Sequence, residues 1–157
     1  MNKKLIAIIC IVILIAAVFT VILVNNKYSP SNTDSDSFES IEEANEAADF
    51  NLEHSDRLCG YIPTGYKANS STIEVEFGTA GYIRKTLGVT DNSGNNSSFD
   101  ESTEQEINGS TVTLKGKDGN IYLAVWNSNN FAYTISLDEN GDGVPAEEMA
   151  EYIEATR

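Results

Sequence analysis

Histidine and cysteine, two residue types that often take part in catalysis, are scarce in this chain. His54 is its only histidine, and Cys59 lies five residues further along. A thiol and an imidazole can act as nucleophile and base when they come together. However, His54 lies in a polar stretch typical of a solvated connecting loop, and Leu58 and Gly60 indicate a thiol at the edge of a core. The sequence therefore predicts no catalytic residues.

A calcium-like pattern occurs in the segment DENGDG, residues 138–143. Asp138, Asn140 and Asp142 occupy the first, third and fifth positions of an EF-hand-like loop, and Gly143 occupies the sixth. The pattern then fails, because Met149 stands where such a loop needs a bidentate glutamate. The favoured interpretation is a plain turn, with Asp138, Asn140 and Asp142 as candidate calcium ligands in the alternative. No other cofactor is expected.

A candidate ligand or partner surface lies in residues 120–127, where apolar side chains alternate on both faces. One face carries Ile121, Leu123 and Val125, and the other carries Tyr122, Ala124 and Trp126. If the hairpins are regular, the second face borders small or polar side chains, namely Thr111, Thr113, Ala132 and Thr134. Tyr122 and Trp126 would then form a shallow groove for an apolar or sugar-like ligand. In the alternative, a helix covers this face and Trp126 belongs to the core.

Two helices are predicted near the ends of the region that contains these residues. Ser40 and Glu43 have capping-box spacing, so a helix should run from about residue 40 to residue 49. Pro145 at a first helical position predicts the second helix, with Met149 and Ile153 on its apolar face. Between them we expect about five antiparallel strands, at residues 72–77, 82–87, 106–115, 120–127 and 130–137.

Short connections join these predicted strands, and the sequence supports them with turn residues at residues 117–119 and 127–130. Residues 52–67 should form an irregular or short extended connection, and the polar stretch of residues 89–103 should form a loop. The predicted fold class is α+β, an antiparallel sheet of about five strands flanked by an N-terminal and a C-terminal helix.

Residues 5–24 predict a transmembrane helix, because they contain no charged residue and would span roughly 30 Å. Lys3 and Lys4 precede this run, and the positive-inside bias puts the N-terminus in the cytoplasm. A cleaved signal peptide is the alternative. We therefore expect a cytoplasmic tail (1–4), a transmembrane helix (5–24), a polar stalk (25–37) and an extracytoplasmic α+β domain (38–157).

Charge narrows the range of partners. The formal net charge is −14, and all 24 acidic residues lie beyond residue 27 with only seven of the ten basic ones. Such a surface repels nucleic-acid phosphates and anionic lipids and favours cations and basic partners. Nucleic acid is therefore excluded as a partner.

Several segments together resemble a known family. The segments are GYIRKTLG from Gly81, INGSTVTLKGKDGNIYLAVW, FAYTISL and the closing PAEEMAEYIEA, with an Ile-Pro-x-Gly-Tyr turn upstream. They resemble the bacterial domain of unknown function 4367 over about residues 40–156. The resemblance implies an extracytoplasmic domain of a Gram-positive membrane protein. Some members are attached to anti-sigma-like regulators, and the family has no established activity.

The expected function is that of a membrane-anchored extracytoplasmic binding or interaction domain without catalytic activity. Its expected partners are the membrane, through residues 5–24, and another envelope protein or a small ligand. An accessory sensor subunit of an anti-sigma-like envelope system is the alternative, and an enzyme is a more distant one. We expect the chain to lie in the cell membrane with its C-terminal domain outside.

Overall fold

The computed structural model describes residues 35–88 and 98–157. The predicted cytoplasmic tail, transmembrane helix and most of the predicted stalk lie outside these ranges. Within them, neither helix has the length and apolarity needed to span a bilayer.

Eight strands and two helices make up the described part of the chain. In chain order they are β1 (Asp36–Phe38), α1 (Ile41–Ala48), β2 (Gly65–Asn69), β3 (Thr72–Glu76), β4 (Gly81–Leu87), β5 (Glu101–Ile107), β6 (Ser110–Lys117), β7 (Asn120–Ser128), β8 (Phe131–Leu137) and α2 (Ala146–Glu154). All neighbours pair antiparallel in the order β1-β2-β3-β4-β8-β7-β6-β5. Strands β1 to β4 and strands β5 to β8 each lie in sequential order, and the two sets join where β4 pairs with β8.

The prediction of about five strands flanked by two helices is wrong, because the sheet has eight strands and β1 precedes α1. Three strands were missed for a common reason: their sequences lack an alternating apolar pattern. β1 and β5 are the two edge strands, and six of the seven residues of β5 are exposed. β2 buries only Ala68. Strands held mainly by backbone pairing leave little trace in side-chain hydropathy.

One face of the sheet carries the core. Val75 of β3 pairs with Ile83 of β4, which pairs with Ile135 of β8, which in turn pairs with Ala124 of β7. All four side chains are fully buried. Both helices join the same hydrophobic cluster, α1 through Ala44 and Ala48, and α2 through Met149 and Ile153. The sheet and the two helices thus share one core.

A β-bulge determines which side chains of β6 lie beside those of β7. The β6–β7 register shifts by one residue between Lys115 and Gly116, so that Trp126 pairs with Val112. A Cβ at Gly116 would lie 2.0 Å from the carbonyl oxygen of Asn120, and this close approach explains the glycine. Because a shift of one residue exchanges the two faces of a strand, the predicted β6 neighbours of Trp126, Thr111 and Thr113, are wrong.

On the other side of β7, Trp126 pairs with Tyr133. Thr113 and Thr134 instead pair with Val125, on the opposite face. The face that carries Trp126 is therefore the core face, bordered by Val112 and Tyr133 and not by the predicted threonines and alanine.

Candidate binding site: an acidic cleft above a buried lysine

A cleft of about 1230 Å³ lies between α1 and the segment that follows it. Its walls come from residues 39–56, with Pro63 and Tyr66 on one side. Six carboxylates line it: Glu39, Glu42, Glu46, Asp49, Glu53 and Asp56. Among the described lining residues none is Lys or Arg. The cleft is therefore a region of negative potential.

Local sequence signals fix α1, which forms one wall. The Ser40 side chain accepts a hydrogen bond from the Glu43 N–H, and the Glu43 carboxylate accepts one from the Glu39 N–H. The predicted helix start is thereby confirmed. At the other end Asp49 adopts a left-handed conformation with φ 61°, which ends the helix. Ala44 and Ala48 face the core, whereas Glu42 and Glu46 of α1 line the cleft.

The opposite wall is the return segment, residues 50–56, which hydrogen bonds hold in place. The Leu52 N–H donates to the Asn45 side-chain oxygen at 2.9 Å, and the Leu52 side chain is 2% exposed. The Glu53 backbone exchanges two hydrogen bonds with Arg157, at 2.9 and 3.0 Å. Glu53 is thus held against the C-terminal end of the described fold.

Lys85 lies directly beneath this wall. It is only 7% exposed, and its Nζ donates a hydrogen bond to the carbonyl oxygen of Asn51 at 2.5 Å. Three aromatic rings surround the ammonium, with centroids 4.6 Å away in Phe131, 5.2 Å in Tyr133 and 5.9 Å in Phe50. Cation–π attraction is strongest where water is excluded, as it is here.

Burial lowers the pKa of Lys85 below the usual lysine value of 10.5, and the nearby charge of Glu53 partly opposes the shift. Phe50 and Asn51 belong both to the lining of the cleft and to the surroundings of Lys85. The buried lysine therefore connects the return segment of the cleft to the centre of the sheet.

Sequence reasoning missed both the cleft and Lys85. For Lys85 a signal exists, because in β4 it shares the inward parity of Ile83, whereas Arg84 has the opposite parity. For the cleft, the outward glutamates of α1 are visible in the sequence. Nothing local shows that the return segment adds Glu53 and Asp56 opposite them.

His54 and Cys59 have separate surroundings. The His54 ring nitrogen Nδ1 contacts the carbonyl oxygen of Ser55 at 2.8 Å, and His54 also lines the cleft. The Cys59 N–H donates to the Tyr152 hydroxyl at 3.0 Å. Burial and the charge of Glu148 raise the pKa of the Cys59 thiol, which keeps it protonated.

Tyr122 and Trp126, the predicted ligand surface, are 4% and 6% exposed. Trp126 stacks on Tyr133 with the centroids 5.1 Å apart and the planes inclined by 7°. Tyr122 stacks on Phe99, and its hydroxyl donates to the carbonyl oxygen of Gly141. A ligand surface at Tyr122 and Trp126 stays a prediction, and in this structure other protein groups cover both rings.

Within the segment 138–143, residues 138–141 form a turn that its own side chains stabilise. The Asp138 carboxylate accepts hydrogen bonds from the backbone and side-chain nitrogens of Asn140, both at 3.0 Å. Asp142 lies just beyond this turn. In residues 35–88 and 98–157 there is no group of three or more His, Cys, Asp or Glu side chains arranged to hold a metal. Calcium binding by Asp138, Asn140 and Asp142 stays a prediction.

A family model described as Domain of unknown function (DUF4367) matches residues 58–154, more than half of the chain. The chain belongs to the DUF4367 family. The resemblance inferred from the sequence is thereby confirmed. The DUF4367 match contains β2 to β8 and α2, whereas α1 and the return segment precede it. No curated protein and no solved structure matches the chain.

Proposed function

We propose that this DUF4367 protein is a non-catalytic binding domain that recognises a cationic segment of a partner protein through the acidic cleft. The observation that carries the proposal is the lining of the cleft, where six carboxylates meet and none of the described lining residues is Lys or Arg. The formal net charge of −14 adds a long-range field of the same sign. Such a field speeds the encounter with basic partners and repels anionic ones.

The shape of the cleft favours a peptide segment over a single metal ion. Carboxylates on α1 and on the return segment lie on opposite walls of a space of about 1230 Å³, which is large enough for several side chains. Each exposed ion pair contributes about 0.2–1 kcal/mol, so useful affinity requires several basic side chains at once. A segment rich in Lys or Arg provides them.

The surroundings of the residues that could take part in catalysis support a non-catalytic role. The Cys59 thiol has a raised pKa, and its backbone N–H is directed to Tyr152. A reactive thiol needs the opposite shift, because the thiolate is the nucleophile. The His54 ring forms its hydrogen bond with the carbonyl oxygen of the adjacent residue, Ser55.

The proposed location is the outer side of the cell membrane, with residues 5–24 as the anchor. The support is the uncharged run itself and the lysines that precede it. The partner is accordingly proposed to be an envelope protein with a basic segment outside the cytoplasm.

The experiment is a titration of the full-length chain, held in nanodiscs of zwitterionic lipid, with a fluorescent peptide of alternating Lys and Gly. A peptide of alternating Glu and Gly is the charge-reversed control. Saturable binding of the Lys peptide alone, weakening as salt is raised, is the expected result. Equal binding of both peptides, or of neither, would contradict the proposal.

A further inference from the structure

Beside the cleft, the chain exposes two large apolar side chains in adjacent positions. Tyr61 is 51% exposed and Ile62 is 58% exposed, and only Leu87, at 38%, is comparable among the described residues. We call these two residues the Tyr61–Ile62 patch. Single exposed apolar residues are ordinary on protein surfaces, but adjacent ones next to a charged cleft resemble the rim of an interface.

A tight turn holds the patch rigid on one side. The backbones of Leu58 and Tyr61 exchange two hydrogen bonds, at 3.0 and 2.9 Å. Between them Cys59 and Gly60 both have positive φ, 49° and 83°, as in the two-residue turns of β-hairpins. Cysteine is an unusual residue for this conformation, and the hydrogen bond from the Cys59 N–H to Tyr152 anchors it to α2.

The chain beyond the patch is anchored as well. The Thr64 N–H donates to the carbonyl oxygen of Glu76 at 2.8 Å, and the Thr64 hydroxyl accepts from the Gly78 N–H at 2.8 Å. Tyr61 and Ile62 therefore lie between two fixed points. Apolar side chains on a rigid support lose little conformational entropy when a partner covers them.

The patch adjoins the cleft along the chain. Pro63, the next residue, lines the cleft together with Asp56 and Glu53. We propose that the Tyr61–Ile62 patch binds an apolar side chain that lies next to the Lys or Arg residues of the same partner segment. This inference rests on the proposed function and extends it, because it makes the partner a mixed basic and apolar segment.

Charge argues against the two other occupants of such a patch. A second copy of this chain would bring two acidic clefts together, and a membrane with anionic lipids would be repelled by the six cleft carboxylates. These carboxylates outnumber the guanidinium of Arg57, which lies near the patch and donates to the carbonyl oxygen of Gly60. A basic segment instead gains from both features at once, because its charges meet the cleft while its apolar side chain meets Tyr61 and Ile62.

The test compares the peptide of alternating Lys and Gly with the same peptide carrying Leu in place of one central Gly. Both are titrated against the full-length chain in zwitterionic nanodiscs, with empty nanodiscs as the blank. Burial of a leucine side chain against the patch should make the Leu peptide bind about tenfold tighter. Ile62→Ser should remove most of this preference, which is measured as the ratio of the two peptide affinities in each variant.

Leu87→Ser is the matched control, since it removes the third exposed apolar side chain without touching the patch. It should keep the preference for the Leu peptide. Binding of the Lys–Gly peptide without any preference for Leu would overturn this inference and leave the proposed function standing. Absence of binding by either peptide would overturn both. A self-association that Ile62→Ser abolishes, seen by sedimentation, would make the patch a contact between copies and overturn the inference.

Discussion

The ammonium group of Lys85 donates a hydrogen bond to the backbone carbonyl of Asn51, a residue 34 positions earlier in the chain. The bond attaches the return segment of the acidic cleft to the central strand β4. The charged Lys85 side chain is therefore kept in a buried position, where the residue is only 7% exposed. Aromatic rings of Phe50, Phe131 and Tyr133 partly replace the water that this cation has lost.

Lys85→Met should change how stability depends on pH. Because burial lowers the pKa of Lys85 in the folded state below 10.5, the folded state releases this proton before the unfolded state does. Between the two pKa values the unfolded state binds more protons, so the free energy of unfolding rises with pH. The Lys85→Met variant lacks this rise. Relative to the variant, the wild type should therefore gain stability as the pH approaches about 10.5.

The measurement is urea unfolding of the full-length chain in neutral detergent at several pH values, followed by the emission of Trp126, its only tryptophan. A difference in unfolding free energy between wild type and Lys85→Met that stays constant across the pH series would contradict the described surroundings of Lys85.

Trp126 itself should report a buried, stacked environment. With 6% of the residue exposed and Tyr133 stacked on its ring, its emission should be blue-shifted and should resist quenching by acrylamide. Tyr133→Ala removes the stacked ring and should cost about 3–5 kcal/mol of stability, as large-to-small changes of buried aromatics do. Red-shifted emission that acrylamide quenches freely in the wild type would instead favour the exposed groove predicted from the sequence.

Gly143→Ala should destabilise the fold more than an ordinary glycine replacement in a turn. Gly143 has φ 64°, and a Cβ there would lie 2.8 Å from two ring carbons of Tyr122. Gly119→Ala is the control, since Gly119 has φ 77° but no atom within 4 Å of an added Cβ. We expect a loss of about 1 kcal/mol for Gly119→Ala from the backbone alone. Gly143→Ala should lose at least about 1 kcal/mol more from overpacking. Equal losses would show that Tyr122 does not pack against this turn.

Local signals in the sequence were sufficient for the helices and the turns. The capping pair Ser40 and Glu43 placed the start of α1, because both interactions lie within one helical turn. The turn residues Asp118 and Gly119 placed the β6–β7 connection, because both adopt the positive φ that such hairpins require.

Features that depend on long-range geometry could not be predicted. The bulge in the β6–β7 pair changed which residues of β6 lie beside Trp126, and no residue type predicts a register shift of one position. The edge strand β5 has six exposed residues and therefore no apolar alternation. The site around Lys85 requires Phe50 and Phe131, which reach it from distant parts of the chain. Its inward position in β4 was the one visible sign.

The cleft was hidden for the same reason. The glutamates of α1 have the appearance of an ordinary solvated helix face until the return segment brings Glu53 opposite them. The hydrogen bond between Leu52 and Asn45 and the backbone pairing of Glu53 with Arg157 create that second wall. Both contacts join residues whose proximity only the folded chain reveals.

The most direct test of the cleft as a binding site is the affinity of the full-length chain for the peptide of alternating Lys and Gly when cleft carboxylates are neutralised. The cleft variant removes three charges and carries Glu42→Gln, Glu46→Gln and Glu53→Gln. The control variant removes three charges from the exposed edge strand β5 and carries Glu101→Gln, Glu104→Gln and Glu106→Gln. At about 0.2–1 kcal/mol for each exposed pair, the cleft variant should bind roughly tenfold more weakly. The control should change little. Equal weakening by both variants would mean that only net charge attracts the peptide, and would contradict a binding site in the cleft.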